Sequence, residues 1–310
     1  MQSGLAPFLL LLSVGVIITQ TILGDADWHV LWLNWLAAGV IGWGTWDCID
    51  RFRMGRSSDQ SLMIVEWVFV AGVLNIGTLC FTISIEPWRL LLVVLGFWLI
   101  LRLLMGSWQD RTATVRNLLC GLIIGLLSVY FPHILEWLLL LPFAAYFMRS
   151  LNLRNTLSAL TGVAVGIWID YCVLHFFGQP GANQALFNSY LSLADIQGFD
   201  IFSLGIWQWS IIGLTVALLL IYTILGFFLN SGGSLRSHTT VVMYSVLALV
   251  LVVLLMLDLP NLMLYLVLAS LIVSVQMLLV LANSRSVSAE WWAVFILLAV
   301  LTLGVLPVCL

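Results

Sequence analysis

Four carboxylates are the strongest candidates for chemistry in this sequence: Asp25, Asp27, Glu136 and Asp170. The first two stand in the motif GDADWH, which places His29 four residues after Asp25. If a helix begins early in this motif, Asp25 and His29 share one face, where they could bind a divalent cation or act as an acid–base pair. Alternatively, either aspartate caps the helix that follows, because free N–H groups and the helix dipole favour a carboxylate there.

Glu136 and Asp170 each sit beside other polar or aromatic groups in otherwise apolar sequence. His133 and Glu136 are three residues apart, so their side chains are neighbours on a helix. Glu136 either caps that helix or forms, with His133, an ionisable pair held at depth in a membrane. Asp170 lies between Trp168 and Tyr171, about two turns from the end of an apolar run. An acid at that depth should face a protein interior or a water-filled cavity.

Arg89 is the basic group that best suits an anionic ligand such as a phosphate. It also stands three residues after Glu86 and could form a local ion pair with it. Together with His29 and His133, Arg89 makes up the predicted substrate-binding set. Glu66 is a further acid within an apolar run. It either pairs with arginines at the end of the preceding helix or serves a proton path.

The composition defines the elements that must position these residues. Hydrophobic residues make up 63% of the 310 positions and charged residues only 8%, whereas charged residues approach a quarter of soluble domains. Apolar runs of membrane-spanning length recur from end to end, which indicates one all-α, polytopic transmembrane domain over residues 1–310. The absence of a basic surface argues against nucleic-acid binding, and the five dispersed cysteines favour packing over metal ligation.

The apolar runs predict about eleven spans, seven before residue 177 and four after residue 201, separated by an outer loop at 178–200. The predicted helices lie at about residues 4–23, 28–48, 61–83, 87–106, 117–131, 133–148, 156–177, 201–229, 239–257, 262–281 and 291–308. The first run lacks a basic region and a cleavage site, so it is interpreted as a retained helix.

The positions of the arginines test whether successive loops alternate between the two sides of the membrane. Ten of the eleven basic residues, all of them arginine, fall in alternate loops, and Arg89 is the exception on the opposite side. Because arginine-rich short loops stay in the cytoplasm, the pattern predicts a cytoplasmic N-terminus and a periplasmic C-terminus.

Two segments depart from simple spans. The central hairpin at 117–148 turns at Pro132, and each arm holds only about 16 residues where a crossing needs ~20. It is therefore either a thinned crossing or a re-entrant loop. Within the outer loop, NQALFNSYLSLAD at 183–195 shows helical spacing of apolar residues, which predicts an amphipathic interfacial helix that is either a connector or a lid.

One stretch of the chain resembles a known family. From about residue 91 to 163, an arginine-ended helix precedes the hairpin GLIIGLLSVYFPHILEW, and an LR pair then enters the next span. This pattern resembles a domain-of-unknown-function family of multi-span inner-membrane proteins from Bacteroidota. The resemblance implies a Gram-negative inner membrane with the acidic face in the periplasm, and it implies no particular activity.

Three functions fit these features. The first is handling or transfer of a lipid-linked saccharide or phospholipid at the periplasmic face, which predicts that the four carboxylates converge on one outward cavity. The second is a non-catalytic scaffold subunit of an envelope complex, which needs no site. The third is a small-solute transporter, which predicts a polar path involving Asn75, Gln208 or Gln276. The expected partners are the lipid bilayer and either a lipid-linked substrate or envelope proteins; the sequence leaves the cofactor unknown.

Overall fold

A computed structural model describes most of the chain, and within it every regular element is a helix. The described residues are 28–51, 61–80, 87–110, 112–178, 181–191, 206–229, 235–257 and 262–283. The all-α prediction is confirmed for these residues. The predicted helices at 4–23 and 291–308 lie outside them, as do Asp25 and Asp27.

Ten α-helices and one 3-10 helix make up the described residues. They are α1 (Trp28–Arg51), α2 (Ser61–Cys80), α3 (Pro87–Gly106), α4 (Thr114–Leu127), the 3-10 turn (Pro132–Glu136), α5 (Trp137–Phe147), α6 (Leu153–Phe177), α7 (Ala182–Leu191), α8 (Ile206–Leu229), α9 (Leu235–Leu257) and α10 (Leu262–Asn283). The chain divides into two compact units: the first comprises residues 1–91 and 200–310, and the second comprises residues 92–199.

Four of the described helices are long and apolar enough to cross a membrane. They lie at Trp88–Gly106, Leu153–Phe177, Trp209–Gly226 and Leu264–Ala282. Shorter apolar helices occupy Thr114–Leu127, Pro132–Phe147 and His238–Leu254. The chain therefore fits a helical membrane protein.

The prediction of eleven spans is not confirmed. The sequences of α1 and α9 show why two of the predicted spans are not among the four. Although α1 begins where a span was expected, it carries five tryptophans, three glycines and two aspartates, which lower its mean hydropathy. The first residues of α9, Leu-Arg-Ser-His, are largely polar, so its apolar part is shorter than a span.

In the second unit, the predicted central hairpin is present and its turn is at Pro132. Phe131 is extended, as residues before proline tend to be, and the 3-10 turn follows. The 14 residues of α4 and 11 residues of α5 correspond to about 21 Å and 17 Å, well short of a ~30 Å hydrocarbon core. Both helices are thus shorter than a full crossing requires, as the sequence predicted.

The main interface of the second unit joins α4 and α6 through four glycines. An added Cβ at Gly121 would lie 1.9 Å from the Ala159 carbonyl oxygen, and one at Gly162 would lie 2.1 Å from the Leu118 oxygen. One turn further along, Gly125 and Gly166 meet in the same way, with a Cβ on Gly166 only 2.8 Å from the Gly125 Cα. The two helices therefore run parallel, and their backbones touch where paired GxxxG sequences leave no side chains between them.

Two loops at one end of the second unit are bonded to each other. The Gln109 N–H donates to the Met148 carbonyl at 2.9 Å, and the buried hydroxyls of Ser107 and Ser150 lie 3.5 Å apart. Arg149 follows α5 with a φ of 55°, and the N–H groups of Arg149 and Ser150 close the last turn on carbonyls of α5. This end of the unit is thus fixed by backbone hydrogen bonds.

In the first unit, α10 is the central helix. Its residues from Leu264 to Ala282 are all buried, and α2, α8 and α9 pack against it. A second pair, α1 and α2, is joined where the Trp67 indole N–H donates to the Trp35 carbonyl at 2.9 Å and the two rings meet edge to face. The core of this unit is therefore built around one helix that is buried on every side.

Candidate functional site

The candidate site lies in the second unit, where α4 ends. Ser128 is fully buried there, and its hydroxyl donates to the Gly125 carbonyl at 2.6 Å. The same hydroxyl oxygen lies 2.8 Å from the Tyr190 hydroxyl on α7. Because the single Ser128 proton is directed at Gly125, the Tyr190 hydroxyl is the donor in the second bond.

Asp170 on α6 completes this cluster. Its carboxylate is partly buried, and Oδ2 is enclosed without a hydrogen-bond partner among the described residues. The charge of Asp170 also acts on Tyr190: burial, the largest cause, and the nearby carboxylate both raise the pKa of the phenol. The net direction is upward, so Tyr190 is a neutral hydrogen-bond donor.

Tyr190 lies on the short helix α7, in the segment for which the sequence predicted an amphipathic helix. Leu186, one turn earlier, is buried, whereas Phe187 and Asn188 on other faces are exposed. The start of α7 is bonded to the end of α6 through Asn183, whose amide lies 3.4 Å from Nδ1 of His175. A helix is confirmed at Ala182–Leu191, and the rest of the predicted segment to residue 195 lies outside the described residues.

His133 and Glu136 form a second polar pair in the turn of the hairpin. Nδ1 of His133 lies 3.2 Å from Oε1 of Glu136, and both side chains are about one third exposed. The alternative prediction, that Glu136 caps α5, is wrong: Glu136 has helical dihedrals and makes no capping hydrogen bond. The pair follows Ser128 by only five to eight residues. It therefore lies at the turn of the hairpin, between the end of α4 and the start of α5.

The other predicted site residues are not part of this cluster as described. His29 is exposed on α1, and Arg89 stacks over the Trp88 ring at 5.4 Å near the start of α3; both belong to the first unit. Asp25 and Asp27 are outside the described residues. The convergence of the four carboxylates on one cavity therefore stays a prediction.

An apolar cavity of about 180 Å³ opens between α4, α5 and α6. Leucines, alanines and Pro142 form most of its wall, and two lining residues, Leu139 and Leu160, are exposed. The two asparagines at its edge, Asn117 and Asn155, have their amide N–H groups bound to backbone carbonyls at 2.8 Å. The cavity is therefore suited to hydrocarbon rather than to a polar molecule.

Sequence reasoning selected Asp170 but missed Ser128 and Tyr190 as its neighbours. Tyr190 was recognised only as part of an amphipathic helix, and Ser128 only as a residue of an apolar arm. The parallel packing of α4 against α6 brings them together, and the paired GxxxG sequences were the available signal. In the described part of the chain, no three His, Cys, Asp or Glu side chains gather closely enough to hold a metal ion.

No protein-family model, curated protein or solved structure matches this chain. The class of protein is accordingly defined by its own features. These are an all-helical architecture with apolar helices of spanning length and, in the second unit, a polar cluster at the end of a short hairpin.

Proposed function

We propose that this chain is a multi-pass protein of the bacterial inner membrane that handles or transfers a lipid-linked saccharide or phospholipid at the periplasmic face. The observation that carries the proposal is the Asp170 carboxylate, which keeps one enclosed oxygen without a hydrogen-bond partner among the described residues. Ionisable groups in membrane helices are costly to bury and therefore commonly mark sites.

The donors and acceptors around Asp170 suit the hydroxyl groups of a saccharide or glycerol headgroup. A carboxylate accepts a hydrogen bond from such a hydroxyl, and it can also act as the base that removes its proton. Tyr190 is held in place by Ser128, so its phenol is fixed near that carboxylate. On either side of Asp170, the exposed rings of Trp168 and Tyr171 offer flat apolar surfaces at the membrane interface.

The hydrocarbon part of such a substrate has a matching surface in the same unit. The cavity wall includes Leu160, ten residues or about 15 Å along α6 from Asp170. Exposed apolar side chains recur along the whole of α6, at Leu153, Leu157, Val165, Trp168, Phe176 and Phe177. A lipid chain lying along this face would bring its headgroup to Asp170.

The orientation follows from the arginines. With ten of the eleven in alternate loops, the positive-inside rule favours a cytoplasmic N-terminus and a periplasmic C-terminus. In that orientation the turn of the hairpin and α7 face the periplasm, as the family resemblance also implies.

The test is complementation of a strain that lacks the gene. Its lipid-linked saccharides and phospholipids are extracted and compared by mass spectrometry with those of strains expressing the wild-type chain, Asp170→Asn or Gln184→Ala. Gln184 is exposed on α7 and serves as the control. We expect one lipid-linked species to accumulate in the deletion strain and with Asp170→Asn, and to disappear with wild type and with Gln184→Ala.

A different outcome would favour the other candidate functions. If Asp170→Asn restores the wild-type lipid profile while folding at normal levels, the carboxylate has no role in lipid handling. A scaffold would then be favoured by normal growth of all single variants, and a transporter by altered solute accumulation.

A further inference from the structure

The first unit contains a carboxyl group that the proposed site does not use. Glu66 lies five residues into α2 and is completely buried, with 0% of its surface exposed. Ser274 of α10 donates a hydrogen bond to Glu66 Oε1 at 3.2 Å, and Thr45 of α1 contributes a second one. Glu66 is thus held by hydroxyls from the two described helices that pack against α2.

The second oxygen of Glu66 is the informative one. Oε2 is buried and has no hydrogen-bond partner within the described residues. The described contacts of Glu66 also include no cation, and a buried carboxylate without a counter-charge costs several kcal/mol. A proton is the smallest species that can neutralise this group without any extra space.

A second unsatisfied group lies nearby. The Tyr244 hydroxyl on α9 is fully buried, also lacks a hydrogen-bond partner among the described residues, and is close enough to Glu66 to feel its charge. Cys48 of α1 is the other titratable group that acts on Tyr244. On α10 the titratable side chain is Tyr265, nine residues or about 13 Å along the helix from Ser274.

A second set of buried polar groups lies on α8, α9 and α10. The Gln276 amide of α10 lies 3.4 Å from the Ser245 hydroxyl of α9 and 3.3 Å from the Thr223 hydroxyl of α8. Gln276 Oε1 is buried and without a partner in the described part of the chain. The two sets of polar groups together come from five helices of the first unit.

We propose that Glu66 is a proton-binding site in the core of the first unit. Ser274 and Thr45 hold the carboxyl group by hydrogen bonds, and Tyr244 supplies a neighbouring buried hydroxyl. The inference is independent of the proposed function, because it concerns other residues in the other unit. It assigns the polar core a ligand, the proton, that needs neither a cavity nor additional coordinating atoms.

The test uses the purified full-length protein and dicyclohexylcarbodiimide, an apolar reagent that adds to protonated carboxyl groups. Mass spectrometry of the intact protein and of its peptides locates the adduct. We expect a single main adduct on Glu66, at least about tenfold less of it in Glu66→Gln, and an unchanged yield of the Glu66 adduct in the control Glu136→Gln, which removes a partly exposed acid of the second unit. For one titrating proton, the labelling rate should fall about tenfold for each pH unit above its midpoint.

A second measurement does not depend on the folding of the variant. Infrared spectra of the wild-type protein in H₂O and D₂O should contain a protonated-carboxyl band that shifts on exchange into D₂O. The proposal is overturned if Glu66 of the wild-type protein takes no label at any pH, if the band does not exchange, or if Na⁺ protects Glu66 from the reagent, since protection would assign the site to a metal cation.

Discussion

The sharpest test of the fold is to add a single methyl group between α4 and α6. At Gly121, a Cβ would lie 1.9 Å from the Ala159 carbonyl oxygen. Carbon–oxygen contacts across helix interfaces lie at about 3.3–3.6 Å, so Gly121→Ala requires the helices to separate by about 1.4 Å. The obstacle is backbone on both sides, which no change of rotamer can move.

The magnitude follows from the dispersion energy that this separation removes. A gap of 0.5–1 Å already removes a quarter to a half of the dispersion energy of an atom pair, which is ~0.1–0.2 kcal/mol. If the interface involves about as many atom pairs as one buried leucine forms, the destabilisation is about 3 kcal/mol, at the upper end of measured overpacking costs. An unfolding entropy of about 2.1 cal/mol/K per residue gives about 0.65 kcal/mol/K for 310 residues, so we expect the midpoint of thermal unfolding to fall by roughly 5 °C.

The assay is thermal unfolding of the detergent-purified protein, followed by the fluorescence of its 15 tryptophans. Gly213→Ala in α8 is the matched control, because an added Cβ there has nothing within 4 Å. Both variants gain the same helix propensity, about 1 kcal/mol, so their difference isolates the effect of the close approach. If Gly121→Ala unfolds at the same temperature as Gly213→Ala, the parallel backbone packing is not part of the native structure.

Three further predictions concern single side chains. Tyr190→Phe removes the bond to Ser128 and should lower the free energy of unfolding by about 1 kcal/mol in the same thermal assay, whereas Tyr171→Phe, at an exposed ring, should not. The pKa of Asp110 is lowered by hydrogen bonds from Thr112, so its contribution is present above the ordinary value of 3.8 and lost as the pH falls through the lower folded value. Asp110→Asn should therefore unfold at lower temperature than wild type down to about pH 4, and melting curves on a pH series should show the difference disappearing below that. Arg149→Gly relieves a φ of 55° and should raise the free energy of unfolding by about 0.5–1 kcal/mol in denaturant titrations; an unchanged midpoint would show that the left-handed conformation costs nothing there.

Local sequence was sufficient for the elements whose signals are local. Pro132 predicted the turn of the hairpin, because proline fixes its own backbone and restricts the residue before it. The helix at Ala182–Leu191 followed from the spacing of Leu186 and Tyr190 among polar residues. The number of spans was overestimated because the two short arms of the hairpin were counted as spans, and the helices there, α4 and α5, are shorter still, with 14 and 11 residues.

Tertiary contacts were less accessible, for a physical reason. Glu66 was expected either to pair with arginines or to serve a proton path, yet its described hydrogen bonds come from Thr45 and from Ser274, 208 residues away. Helical periodicity could not reveal the latter partner, because α10 is buried on every side and its polar residues, Ser270, Ser274 and Gln276, are buried with the rest. A helix with no solvent-exposed face does not indicate in its sequence which neighbour each side meets.

The glycine packing also determines where the candidate site can form. Gly125 meets Gly166, and Ser128 lies three residues beyond the first while Asp170 lies four beyond the second. At 1.5 Å per residue these offsets are about 4.5 Å and 6 Å, so the two side chains arrive within about 2 Å of the same height along parallel helices. The Tyr190 hydroxyl can therefore bond to Ser128 and also lie close enough to Asp170 to be affected by its charge. A side chain at either glycine would separate the helices that carry Ser128 and Asp170, so packing and site depend on the same four glycines.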